Sequence, residues 1–229
     1  MSGHLNPGGQ QFRDDAGAAD PRVTAALTAY HAGQGSEQDA LTALAASRLL
    51  VPVVAVLADG SAAEGDKNSE MVLPTLIGKD GRPAVLAFTG LDALARWRPD
   101  ARPVPAKAGR VWRGAVADGC AVVIDVAGPV PLAVEGTRLA ALAAGRPVPP
   151  AHEDGDVRAE VEAAIAAEPA IAGFSLAPSH QVDLTVRLYL TAGDWRPAVD
   201  QAAQAIAGRL AVRLRRGIEF SLTRDPVGS

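Results

Sequence analysis

Apolar residues recur along the chain with two periods, and the changes between them mark out the elements. Val23, Ala26, Leu27 and Tyr30 follow Asp20-Pro21 at helical spacing, and Asp and Pro suit the N-cap and first position of a helix. Gly33 and Gly35 end that helix. Ser36-Glu37-Gln38-Asp39 reads as a capping box with Asp where Glu is usual, and Leu41, Leu44, Ala45 and Leu49 give the next helix its buried stripe. Val51–Leu57 is apolar throughout, which predicts a strand buried on both faces with Pro52 at its start or at an edge. A polar loop over 58–68 precedes an alternating stretch from Met71 to Ile77. Asp80-Gly81 predicts a tight hairpin turn into a partner strand at Ala84–Phe88. Thr89 to Asp92 predicts a second capped start, for a short helix with Leu91, Leu94 and Ala95 inward and a stop at Pro99.

Pro99 to Pro105 is proline-punctuated and expected to be extended, followed by a helix over Ala106–Ala117. Ala121–Val126 predicts a buried strand, Gly128-Pro129 a turn, Val130–Val134 an outer strand and Thr137–Ala144 a helix. Residues 146–155 are rich in proline and break the apolar pattern, so they read as a linker. Beyond it, Asp156 is expected to cap a helix with Val157, Val161, Ala164 and Ile165 inward, and Ile171–Leu176 is a strand. Val182, Leu184, Val186, Leu188 and Leu190 alternate with polar neighbours in the cleanest period-2 run of the chain. Asp194 is expected to cap a helix from Trp195 to Arg216 carrying Val199, Ala203, Ile206 and Leu210 inward. Ile218, Phe220 and Leu222 make a last strand. The order α-β-β-α-β predicts a small sheet with two helices on one face. The fold class is therefore α+β, in two small domains. A disordered tail spans 1–19, a first domain 20–145, the linker 146–155, a second domain 156–224 and a tail 225–229.

Composition narrows the classes of function. With 48% hydrophobic and 21% charged residues the chain can bury a core, and with 4% aromatics that core must be built from Ala, Leu and Val. A formal charge of −4 gives no global attraction for polyanions. The single cysteine, Cys120, cannot close an internal disulfide, which fits a reducing, cytoplasmic setting. Neither a signal peptide nor a membrane-length apolar run is visible, so no membrane partner is expected. The wealth of Ala, Arg, Gly and Pro fits a high-GC bacterial genome such as an actinobacterium's.

The search for chemistry returns little. No Walker loop, dinucleotide fingerprint or nucleophile elbow is present. His4, His31, His152 and His180 lack the short spacings of a zinc site, so no metal and no cofactor are expected. Gly33-Gln34-Gly35-Ser36 precedes a helix but follows another helix, which is the wrong context for a phosphate cradle. Cys120 opens an apolar strand and is expected to be a small buried hydrophobe. Among the acidic residues, Asp80 belongs to its turn and Asp92 to its cap, while Asp66 and Glu70 lie in or beside the polar loop. Asp125 interrupts a buried strand, where a bond to a backbone amide is the expected duty.

Three features remain as candidate binding residues. Asp125 is one. The second is the connector with Trp97, Arg98, Pro103 and Pro105, where aromatics beside extended proline can build a peptide groove or simply pin the connector to the core. The third is Arg209, Arg213, Arg215 and Arg216 at the end of the long helix, where cations complement the helix dipole or meet an anionic partner.

Leu73-Pro74-Thr75-Leu76, the run from Asp80 to Gly90 (Asp-Gly-Arg-Pro-Ala-Val-Leu-Ala-Phe-Thr-Gly) and Leu94-Ala95-Arg96-Trp97-Arg98-Pro99 resemble the N-terminal domain of SseB-family proteins. The resemblance continues through Pro103-Val104-Pro105 and Gly119–Gly136, covering about residues 38–145. The α-β-β-α-β tail is similar to the C-terminal domain of many members. Gly90 stands where relatives often have Ser. The resemblance implies a structural signature, with no catalytic residues to carry over and no reaction. The expectation is a non-catalytic cytoplasmic interaction or regulatory protein with an unknown protein partner. The alternatives are a small-molecule sensor or enzyme with a cleft between domains, where Asp125 and Arg98 would have to converge, and an RNA- or ribosome-associated factor using the arginine cluster. A homodimer through the edge strand Ile171–Leu176 is a further expectation.

Overall fold

The computed structural model describes residues 15–57, 69–72, 75–78, 81–191 and 193–224. The expected tails over 1–14 and 225–229, the polar loop over 58–68 with Asp66, and Asp80 of the hairpin lie outside the described residues. Helices and mixed or antiparallel sheets make an α+β fold. Contacts divide the chain into two compact units, Met1–Ala25 with Ala43–Arg146, and Ala26–Thr42 with Pro147–Ser229.

Two helices open the described chain, α1 (Pro21–His31) and α2 (Glu37–Ala45). Asp20 accepts the Arg22 N–H at 2.8 Å. The capping box forms: the Asp39 N–H reaches Ser36 Oγ at 3.1 Å and the Ser36 N–H reaches Asp39 Oδ2 at 3.2 Å. The stripe expected on α2 is shorter than its sequence pattern. Leu41 and Leu44 are buried, Ala45 is exposed, and Leu49 belongs to the following strand.

In the first unit, β1 (Arg48–Leu57) pairs antiparallel with β2 (Ser69–Val72). Next come β3 (Thr75–Ile77), β4 (Pro83–Ala87), α3 (Leu91–Trp97) and β5 (Arg102–Lys107). The unit is completed by α4 (Ala108–Ala117), β6 (Ala121–Ile124), β7 (Leu132–Val134) and α5 (Gly136–Ala143). The strand orders are β2-β1-β5 and β3-β4-β6-β7, with β4 and β6 parallel. Leu50 and Phe88 exchange two backbone hydrogen bonds at 2.8 Å and link the two sheets.

The proline-rich connector is a strand from Arg102, and the helix after it begins at Ala108, two residues later than its pattern predicted. Prolines are tolerated because β5 is an edge strand, where a missing N–H leaves no neighbour unbonded. Pro52 lies within β1 opposite Pro103, in the stretch before pairing with β2 begins at Val54. The capping bond expected at α3 is absent. Gly90 is the N-cap and no side chain caps the helix, because the Thr89 hydroxyl is turned to Asp125. Residues 15–19 carry definite contacts: Asp15 pairs with Arg48, whose Nη2 also donates to Ala18 O at 2.8 Å, and the Leu91 N–H bonds Gly17 O at 2.8 Å.

The second unit contains a 3-10 turn (Ala151–Glu153), α6 (Gly155–Ile165), β8 (Ile171–Ala177), β9 (Leu184–Leu190), α7 (Arg196–Leu210) and β10 (Ile218–Arg224). Its sheet runs β10-β9-β8, with β8 antiparallel and β10 parallel to β9. Leu184, Val186, Leu188 and Leu190 of β9 join Val157 and Val161 of α6 and Val199, Ala202, Ile206 and Leu210 of α7 in one core. Both helices thus lie on the face that the period-2 run makes apolar. Residues 26–42 belong to this unit by their bonds: Tyr30 Oη donates to Val212 O at 2.8 Å and Gln38 Nε2 to Val148 O at 2.9 Å.

Three local expectations change here. The cap of α6 is Asp154, which accepts the Asp156 N–H at 2.9 Å. The residue at the N-cap of α7 is Trp195, with no side-chain cap from Asp194. α7 stops at Leu210, so Arg213, Arg215 and Arg216 lie in the turns that follow. Leu214 must return to the core, where it is 5% exposed, and Gly217 takes φ +100°, so the chain leaves the helical path there.

Candidate functional site

The first-unit candidates have structural partners. Trp97 is partly buried and packs on Phe88, with ring centroids 5.5 Å apart and planes at 33°. Arg98 is exposed and pairs with Asp100 at 3.2 Å. Pro103 and Pro105 stand in β5 opposite Pro52 and Leu50. Asp125 is buried at the end of β6 with φ +48°, a left-handed value that Asp tolerates better than most residues. Its Oδ1 accepts the Thr89 N–H at 2.8 Å and its Oδ2 accepts the Thr89 hydroxyl at 2.7 Å. Burial pushes the Asp125 pKa up, against the two Thr89 bonds and the Arg96 charge that pull it down. Among the described residues Asp125 and Arg98 share no bond or ion pair.

Cys120 departs from its expected burial. β6 begins one residue later, at Ala121, so the thiol sits partly exposed in the turn, 3.5 Å from Asp118 O. Desolvation and the Asp118 charge push its pKa up, the opposite of an activated thiol.

The second unit brings several polar side chains together. A cleft of about 200 Å³ is walled by the start of α2, by residues 148–152, by the β8–β9 connection and by the turn after α7. Arg213 is among its lining residues. The Nη2 atom of Arg213 meets Glu37 Oε2 at 3.1 Å and Asp154 Oδ2 at 2.5 Å. Burial works against the Arg213 charge, but Glu37 and Asp154 outweigh it and hold its pKa above the ordinary arginine value. Arg216 donates its backbone N–H to Asp183 Oδ2 at 2.8 Å and its Nη2 to His180 O at 2.8 Å.

The other two arginines stand outside this pair. Arg209 pairs with Glu160 at 2.9 Å. Arg215 donates Nε to Val212 O at 3.1 Å, with its guanidinium 5.8 Å from the Tyr30 ring centroid. Each of the four arginines thus has a bond or ion pair within the chain. Among the described residues no group of three or more His, Cys, Asp or Glu is arranged to hold a metal ion, and no helix is long and apolar enough to cross a membrane.

Sequence reasoning gave no site role to Glu37, Asp154 or Asp183. Glu37 reads as the second residue of a capping box, Asp154 as linker, and Asp183 as a wet position in an alternating strand. Their only sequence signal is an acidic excess opposite arginines that lie far along the chain.

The model of the SseB protein N-terminal domain matches residues 23–141. No curated protein and no solved structure matches the chain. The family match runs from the first turn of α1 through most of α5 and covers more than half of the sequence, so the chain belongs to the SseB family.

Proposed function

We propose that the protein acts as a non-catalytic interaction or regulatory protein, which receives an extended segment of a protein partner along the outer edge of β8. The observation that carries this is the character of that edge. β8 pairs with β9 on one side only among the described residues. Its sequence, Ile-Ala-Gly-Phe-Ser-Leu-Ala, has neither charge nor proline. The other edge strands are each blunted or short. β5 holds two prolines with an arginine and a lysine, β10 and β2 carry charge, and β3 and β7 have three residues each. Edges left open, long and uncharged are templates for a further strand, whose backbone bonds supply affinity and whose alternate side chains supply selectivity. A register irregularity between Ile171 and Gly173 limits the free run to its later part.

The test compares the two edges of one sheet. Native protein, Ala177→Lys on β8 and Thr223→Lys on β10 are used to retain partners at moderate salt, with circular dichroism to verify folding. Retention of a polypeptide by native protein and by the β10 variant, and its loss from the β8 variant, is the expected result. Equal retention by both variants, or none by native protein, would remove the reading. Sedimentation of the native protein alone distinguishes a second copy of the chain from a different partner on the same edge.

A further inference from the structure

β8 carries no charge of its own, but a cation stands on each side of it. On the helix side, the exposed Arg158 of α6 lies over Phe174 of β8, its guanidinium carbon 5.4 Å from the ring centroid. On the other face, Arg187 of β9 stands directly across from Ser175. The alternation of β9 fixes that side: Leu184, Val186, Leu188 and Leu190 are buried with the helices, so the exposed Arg187 points away from them. Ser175 is small and uncharged, and its hydroxyl is joined to that of Tyr189 at 3.0 Å. Neighbouring strands are about 4.8 Å apart, so an arginine side chain can cross β8 and reach its open edge. Among the described residues neither Arg158 nor Arg187 has an ion pair. Glu160 of α6 is taken by Arg209. Glu162, one turn along α6 from Arg158, is exposed and has no ion pair among the described residues. Glu219 stands on β10, across the sheet from β8, and accepts the Thr185 hydroxyl at 3.3 Å.

A strand added beside β8 would therefore enter between two positive charges, one over each of its faces. Consecutive residues of an extended strand point to opposite faces, and Phe174 and Ser175 are consecutive. Two adjacent carboxylate side chains can thus meet both cations: the one beside Phe174 meets Arg158, and the one beside Ser175 meets Arg187. The next position lies beside Leu176, which packs against the core, and suits an apolar side chain. Opposite charges across an interface also fix register, which an uncharged edge leaves open. Given strand addition at β8, on which this rests, we propose that the edge receives an acidic segment of a partner protein, with two adjacent carboxylates and an apolar residue beside them.

The test is a titration of the full chain followed by amide NMR. The probes are three peptides with blocked ends, Thr-Val-Glu-Glu-Val-Thr, Thr-Val-Gln-Gln-Val-Thr and Thr-Val-Lys-Lys-Val-Thr. Their side-chain order is the same in both directions, so either strand direction is served. The Glu peptide should give saturable shifts over residues 171–177. The Gln peptide should bind there about five- to tenfold more weakly, and the Lys peptide more weakly again. Added salt should weaken the Glu peptide and leave the Gln peptide nearly unchanged. Arg158→Gln and Arg187→Gln should each weaken the Glu peptide about two- to fivefold and leave the Gln peptide as it was. Arg224→Gln, at the end of the far edge strand, should change neither. Equal binding of the Glu and Gln peptides, or unchanged Glu-peptide affinity in both Arg158→Gln and Arg187→Gln, would overturn the acidic assignment and leave edge pairing standing. No shift over 171–177 with any of the three would remove edge pairing itself, and the acidic segment with it.

Discussion

Thr89 donates both its backbone N–H and its hydroxyl to Asp125, one to each carboxylate oxygen, at 2.8 and 2.7 Å. The pair ties the entry of α3 to the end of β6. Asp125→Ala leaves two buried donors without acceptors and should cost about 1–3 kcal/mol in urea unfolding. Asp125→Asn keeps an acceptor, removes a buried charge and suits the left-handed backbone at this position. It should stay close to wild type near pH 4. Above the ordinary carboxylate value of 3.8, the folded state holds the Asp125 proton more tightly than the unfolded chain does, so wild-type stability falls as pH rises toward the raised folded pKa. The Asn variant escapes that loss and should gain on wild type across the same window. A difference that shrinks with rising pH would contradict this.

Arg213 forms ion pairs with both Glu37 and Asp154, which are 9% and 0% exposed at their side chains. Arg213→Ala removes a shared cation from two buried carboxylates and should destabilise by about 3–5 kcal/mol. Adding Glu37→Gln should restore part of the loss, since one of the two buried negative charges is then gone. Chemical denaturation of the single and double variants measures both terms, and simple additivity would argue against the coupling.

At Cys120 the pKa is raised by desolvation and by Asp118. Alkylation by iodoacetamide at pH 7 should be slower than that of an unstructured cysteine peptide, and should accelerate steeply as pH rises through the alkaline range. Asp118→Asn should speed it at fixed pH. A fast reaction at neutral pH in native protein would be inconsistent with the environment described.

Asp15 is held below its ordinary pKa, first by the hydrogen bond from Arg48, with the Gly17 N–H and the Arg48 charge adding to it. Its contribution is present above 3.8 and is lost as pH falls through the lowered folded value. Asp15→Asn should lower the melting temperature at pH 7 and have no effect at a pH below that value. Since the pair lies near the surface, about 1 kcal/mol or less is expected, and raised salt should shrink it.

The second sheet was the most legible part of the fold. Leu184, Val186, Leu188 and Leu190 of its alternating run face α6 and α7, and burial against one layer writes that period into the sequence directly. Helix ends were less legible. Caps at Asp20 and Ser36 are local and formed as read, but Thr89 was claimed by Asp125, 36 residues away, and α7 stopped early because Leu214 had to reach the core. Arg102–Lys107 carries strand pairing that its prolines conceal, since edge position can be known only from the sheet. The cleft was hidden for the same reason. Glu37, Asp183 and Arg213 each have an ordinary local explanation, and only the closing of residues 26–42 onto the second unit gives them a common space.

The bond from Tyr30 to the Val212 carbonyl spans 182 residues of chain. The second unit is therefore the last to be completed during synthesis. Residues 26–42 leave the ribosome early, yet Tyr30, 2% exposed in the finished protein, meets the Val212 carbonyl only once the final turns are translated. Loop closure over such a separation is entropically slow. A stop codon placed before Val212 would remove the carbonyl that the Tyr30 hydroxyl reaches in the finished protein.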